Sequence, residues 1–206
     1  MPSSTFLNLP AEKQEKLLEA ATREFSRKPF NEASINQIVK DAGIPRGSFY
    51  MYCQDKEALF RYLLQGYMDQ LTMVMEELLL QRQGDVFEML LGLYDYVRRS
   101  GGEHLGEIGA LAGIVNCNHG MQKSGLLELL DPERFLQRLS GAVNPDLLDL
   151  RREEDLPCIL GVLMMVSMPA IYSGMQAADT PGERERLENI LAILKRGMGA
   201  GPAAKH

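Results

Sequence analysis

Ala42-Gly43-Ile44-Pro45-Arg46-Gly47-Ser48-Phe49-Tyr50-Met51-Tyr52-Cys53-Gln54-Asp55-Lys56-Glu57-Ala58-Leu59 is the stretch on which the fold turns. Just before it, Ile35, Ile38 and Val39 give a short helix its apolar face. Gly43 then ends that helix, because a glycine adopts the left-handed C-terminal conformation at no steric cost. Pro45 starts the next helix after a turn of two or three residues, where its missing amide hydrogen is not needed. Asp55 reads as the cap of a further helix. Upstream, Ser34 is followed three residues later by Gln37, the spacing of a capping box. Residues 34–52 are thus helix, tight turn, helix. Two helices this short need a third behind them to bury their apolar sides. The segment from Pro10 to Phe25 supplies it: Leu17, Ala20, Ala21 and Phe25 fall on one stripe, and Pro29 stops the pattern.

Beyond this head the 206-residue chain stays helical. The helix capped by Asp55 runs to about Leu80 through Leu59, Leu63, Tyr67, Leu71 and Leu78. Val86, Phe87, Leu90, Leu91, Tyr94 and Val97 repeat at helical spacing until Gly101-Gly102. A helix is expected over 103–115, then a polar turn from Asn116 to Gly120, then short pieces at 126–130 and 135–139. Asn144-Pro145 reads as a turn and 153–176 as a long helix. Thr180 caps a last helix with Pro181 in its first turn, built on Leu187, Ile190, Leu191 and Leu194. The opening residues 1–9 carry no pattern, and the tail after Gly197 is frayed. No stretch alternates as a strand does. The fold class is all-α: a three-helix head over 1–55, a larger body over 56–198, and a tail over 199–206.

Composition narrows the function. With 45% apolar and 24% charged residues the chain is folded rather than disordered. Cys53, Cys117 and Cys158 lie far apart, an odd count that fits a reducing compartment better than a disulfide framework. No basic patch joins an apolar run near the start, so a cytoplasmic chain without a leader is expected. The apolar stretch Leu156–Tyr172 is short for a bilayer and contains Ser167 and Pro169, so a buried interface helix is expected there and no membrane partner. Its residues cover more than one face, which favours a homodimer joined by the helices at 153–176 and 181–197 over a monomer with a central core helix. The net charge is −6, yet residues 1–62 carry nine basic and eight acidic groups. Overall acidity therefore leaves room for a nucleic-acid-reading head.

Residues 10–60 resemble the DNA-binding head of the TetR family of bacterial transcriptional regulators. The matching residues are Ser34, Ile38, Ala42-Gly43-Ile44, Gly47-Ser48-Phe49-Tyr50, Tyr52 and Lys56-Glu57-Ala58-Leu59, with Ala20, Ala21 and Phe25 in the first helix. Three positions depart from the family pattern. Cys53 stands where a large apolar residue is usual, Arg27-Lys28-Pro29-Phe30 replaces a glycine-containing turn, and Pro45 replaces a serine or threonine cap. The resemblance implies a helix–turn–helix repressor that binds a palindromic double-stranded operator as a homodimer and is released by a small effector.

The DNA-binding candidates are Ser34, Arg46, Gly47, Ser48, Tyr50, Tyr52 and Lys56. Arg46, at the start of the reading helix, pairs with guanine or with phosphate. Gly47 lets the backbone approach the duplex. Ser48 suits a phosphate, and Tyr50 and Tyr52 donate to phosphates or pack on the first helix. Lys56, in the first turn of its helix, suits a phosphate. Phe49 belongs to the core. Cys53 is expected to be structural and reduced.

For the body, an apolar or amphipathic effector is expected among Phe87, Tyr94, Met121, Phe135 and Met165, with Asn116, His119 and Tyr172 as polar partners. Ordinary core packing is the competing reading of these side chains. His104, Cys117 and His119 match no compact metal pattern, so no metal or cofactor is expected. No nucleophile, base and orienting group line up, so no enzyme is expected. The alternatives are an all-helical enzyme or metal-binding module with an incidental helix–turn–helix, and a regulator without a small-molecule effector.

Overall fold

The structure, a computed structural model, describes residues 2–99, 110, 113–114, 116–118, 132–175 and 182–199. Its helices are α1 (Ser4–Leu7), α2 (Ala11–Phe25), α3 (Ile35–Asp41), α4 (Arg46–Tyr52), α5 (Lys56–Gln81), α6 (Val86–Arg99), α7 (Pro132–Ala142), α8 (Asp155–Met175) and α9 (Glu183–Met198). The chain divides into two compact units, Met1–Asp69 with Gly106–Pro132, and Gln70–Leu105 with Glu133–His206.

The first unit is the three-helix head with two additions. Leu17, Ala21, Phe25, Ile38, Phe49, Leu59, Phe60 and Leu64 are buried together in its core. The Phe60 ring meets Phe25 at 4.8 Å and Phe30 at 4.9 Å between centroids. The first addition is α1, at the opening residues that showed no pattern. Its Phe6 is fully buried. The second is formed by the described residues among 110–118, of which Asn116 and Cys117 are helical, so the expected turn does not begin at Asn116.

Local sequence explains most boundaries. Gly43 has φ +67°, its amide bonds to the Lys40 carbonyl at 3.2 Å, and the Ile44 amide reaches back to Val39 at 3.0 Å. That pair of bonds is the Schellman ending that a glycine permits. The Asp55 carboxylate accepts the Ala58 amide at 2.7 Å, capping α5 as expected. Pro10 and Pro45 are cap residues, each one position before the helix.

The capping box at Ser34 does not form. In such a box the Gln37 side chain would accept the Ser34 amide. Here the Ser34 amide goes to the buried Glu24 carboxylate at 3.0 Å, a charged and stronger acceptor, and Gln37 turns to Asp41 at 2.7 Å.

In the second unit α6 carries the apolar face, burying Phe87, Leu90, Leu93, Tyr94 and Val97. α8 packs on α6. Gly174 permits that approach, since a Cβ there would lie 3.3 Å from Val97 and Arg98 side-chain carbons. α9 is held by ion pairs from Arg184 to Asp95 of α6 at 2.8 Å and from Lys195 to Asp85, just before α6, at 2.6 Å. The piece expected at 135–139 is part of the longer helix α7. Asn144-Pro145 opens a 3-10 turn. Thr180, Pro181 and the piece at 126–130 lie outside the described residues, and α9 starts after Gly182 at φ +84°.

The buried stripe of α8 runs through Leu160, Leu163, Ser167, Ile171 and Gly174. Among the described residues the Ser167 hydroxyl is the one buried side-chain group without a hydrogen-bond partner. A buried unpaired hydroxyl destabilises a fold. Ser167→Ala is therefore expected to raise unfolding stability by about 1 kcal/mol. Denaturant titration of the two proteins side by side checks this.

Candidate nucleic-acid interface

The head presents α4 outward. Phe49 faces the core, whereas Arg46, Gly47, Tyr50 and Met51 are exposed. Arg46 begins the helix, and its guanidinium donates to Asn36 on α3 and, at 3.4 Å, to the Tyr50 hydroxyl one turn further along α4. The Tyr50 ring stands edge-on to Phe49 at 5.3 Å. Arg46, Asn36 and Tyr50 thus form one polar cluster on the outer face of the helix–turn–helix. The sequence reading named two of the three; Asn36 was missed because nothing distinguishes it from any polar residue on a helix.

Gly47 occupies a helical position with no atom within 4 Å of where a Cβ would sit. The fold itself gives no reason for glycine there, and glycine in a helix costs about 0.5–1 kcal/mol relative to alanine. Ser48 is half-buried. Tyr52 is half-buried at the end of α4, its ring 6.5 Å from Phe6. The Ser34 side chain makes no capping bond.

Lys56 sits differently from its expected role at a phosphate. Its ammonium donates to the carbonyl oxygens of Phe30 at 2.6 Å, Ala33 at 2.8 Å and Asn31 at 3.4 Å, and lies 4.6 Å from the centre of the Phe30 ring. Burial lowers its pKa below the ordinary lysine value, with the Glu24 carboxylate pulling the other way. With its three hydrogens so occupied, Lys56 fastens the loop between α2 and α3. The same loop is held by Asn118, whose side-chain oxygen accepts the Phe30 amide at 2.7 Å while its amide donates to Ile114 at 2.8 Å. Cys117 donates to the Ser26 carbonyl at 3.1 Å.

Cys53 is fully buried and carries no disulfide. Burial pushes its thiol up to about 11, so thiolate is scarce at neutral pH. These are the properties of a structural thiol.

The residues expected around an effector are distributed over both units. Phe87 and Tyr94 are buried on α6, and Phe135 and Tyr172 are half-buried on α7 and α8, all in the second unit. Asn116 is exposed and belongs to the first unit. Met165 is 77% exposed on α8, which corrects its placement as an inward-facing residue. Periodicity fails there because α8 is apolar nearly all round. His104, His119 and Met121 lie outside the described residues. Among those described, no three His, Cys, Asp or Glu side chains gather as a metal site would require.

Residues 17–63 match the sequence profile of the bacterial regulatory proteins of the tetR family. The chain is 41% identical over 70 residues to the uncharacterized HTH-type transcriptional regulator YdgC of Bacillus subtilis, covering 34% of this chain and 36% of that one. It is 49% identical over 47 residues to the HTH-type regulator YvdT of the same organism, 23% and 24% of the two chains. The alignments thus span little more than a third of these curated relatives at most. Over nearly the whole chain the fold is that of solved structures: the fatty acid degradation regulator FadR of Bacillus halodurans (TM-score 0.60, 16% identity, 92% and 97% covered) and a TetR family regulator of Marinobacter aquaeolei (0.58, 19%, 92% and 97%). The head is thus similar to the tetR family of bacterial regulatory proteins, and the all-helical fold is shared with these solved structures.

Lys56→Met keeps the aliphatic stem and removes all three donors to the loop. It is expected to cost about 1–3 kcal/mol of unfolding stability. Chemical denaturation followed by far-ultraviolet circular dichroism measures the loss.

Proposed function

We propose that this protein is a dimeric transcriptional regulator of the cytoplasm, a repressor that reads a pseudo-palindromic operator and leaves it when a small apolar or amphipathic effector binds the body. The observation that carries the DNA-binding half is Gly47. It stands on the exposed face of α4, in open space, at a helical position where alanine would be more stable. Such a glycine makes sense when another molecule comes close to the backbone, as a duplex does when a helix lies in its major groove. Arg46 next to it then offers a guanidinium to a guanine edge or a phosphate, and Tyr50 and Ser48 lie within the same reach.

The dimer rests on α8 and α9. Over Asp155–Gly174 the helix is long and apolar enough to cross a membrane by length and composition, yet only 28% of that span is buried within one chain. Val162, Met165 and, on α9, Ile193 are exposed. A second copy burying this face would remove the exposed apolar area and give the two-fold symmetry that a pseudo-palindrome requires. Two recognition helices would then sit about 34–36 Å apart, or a multiple of that. The effector reading is supported by the Ser167 hydroxyl, a polar group left unpaired in an otherwise apolar seam. To act, the effector must bind the DNA-free arrangement more tightly than the DNA-bound one.

Selection of duplexes from a random pool tests the reading, and failure to enrich any sequence would sink it. Gly47→Ala is expected to act in opposite directions on the two properties. Unfolding stability rises by about 0.5–1 kcal/mol, while affinity for the selected duplex falls at least tenfold because a methyl now meets the groove. Light scattering is expected to give about twice the 23.0 kDa chain mass, and Met165→Glu to shift it to the single-chain mass. Equal masses for the two proteins at one chain each would exclude the dimer.

A further inference from the structure

Seven residues make α4 so short that the last carbonyls, which have no intrahelical partner, are a large part of it. The Phe49 carbonyl takes the Cys53 amide at 2.8 Å. The next partners come from the opening of the chain. Ser3 donates its hydroxyl to the Met51 carbonyl at 2.6 Å and its amide to the Tyr52 carbonyl at 2.8 Å, and Pro2 pairs with Cys53 as an isolated bridge. The same hydroxyl oxygen accepts the Phe6 amide at 3.3 Å, capping α1. Phe6 is fully buried, its ring edge-on to Tyr62 of α5 at 5.7 Å. One serine therefore joins the end of α4 to a helix that is itself anchored on α5.

We propose that residues 2–7 form a clasp that positions the recognition helix, with Ser3 as its positioning residue, so that discrimination between operator and random DNA depends on it. α4 is otherwise located by the turn at Gly43, by its core residue Phe49 and by the buried Cys53 at its C-cap, and none of these holds the Met51 and Tyr52 carbonyls. A helix whose last turn is held less firmly still meets phosphates, because the charge field of a duplex is uniform along its length. It no longer aligns side chains with base edges, which demands fixed geometry. Ser3→Ala removes both side-chain bonds of the clasp and leaves the amide; Ser3→Thr keeps both.

The proposal rests on the DNA-binding reading above, and the experiment separates the two. The full chain and its Ser3→Ala and Ser3→Thr variants are titrated with the duplex that the unaltered protein selects from a random pool, and with a random duplex of equal length. Hydrogen exchange of the α4 amides is followed in parallel. Ser3→Ala is expected to lower affinity for the selected duplex by about three- to tenfold, to leave the random duplex unchanged, and to speed exchange at the end of α4. Ser3→Thr is expected to restore all three. An unchanged selected-to-random ratio in Ser3→Ala overturns the clasp while the DNA reading stands, and so does an equal fall on both duplexes. If the unaltered protein selects no duplex, the DNA reading fails and the clasp fails with it.

Discussion

The Lys56 ammonium gathers the carbonyls of Phe30, Asn31 and Ala33 from the loop that leads into α3, and sits over the Phe30 ring. Carbonyl groups in a loop have no ladder to satisfy them, and a single cation supplies three charged donors at once. Glu24 and Asn118 complete the hold by taking the Ser34 and Phe30 amides. The start of α3 is fixed by these bonds. From there the turn at Gly43 fixes the direction of α4, and Phe49 seats it. Positioning of the outward side chains thus traces back to a loop held by side chains from α2, α5 and the stretch 110–118.

Much of the head was legible because its signals are local. Gly43 announces a left-handed ending, Asp55 a cap, and Phe49 falls in line with Ile38 and Leu59. The hold of Lys56 on the loop was not legible, because its acceptors are backbone atoms more than twenty residues away and backbone atoms leave no trace in the sequence. The capping box failed for a related reason. Ser34 and Gln37 have the right spacing, but a distant carboxylate competes for the same amide and wins. Helix α1 was invisible because four residues are too few for a period of 3.6 to show.

The body was legible as helices and less so as surfaces. α6 shows one apolar face and the structure buries it. α8 is apolar around most of its circumference, so periodicity cannot say which residues face α6 and which face outward. Met165 and Leu163 look alike in sequence, and only the packing against α6 separates them. Gly174, where α8 approaches Val97, and Ser167, unpaired in the same seam, acquire meaning only once that packing is known. The ion pairs from α9 to Asp95 and Asp85 join residues 89 and 110 apart in the chain, beyond any local pattern.

Asn36 and Arg46 sit on different helices, yet neither is independent of the other. In the unbound head the guanidinium is already bonded to the Asn36 side chain and to Tyr50. Any bond Arg46 makes to a base or phosphate is therefore an exchange of partners, and its net worth is the difference between two bonded states. The exchange also frees the Asn36 carbonyl oxygen, which must then find water or the ligand. Substitutions at the two positions consequently share one free-energy term. Their effects on affinity do not add, and the shortfall measures how much of the Arg46 contact is purchased by letting Asn36 go.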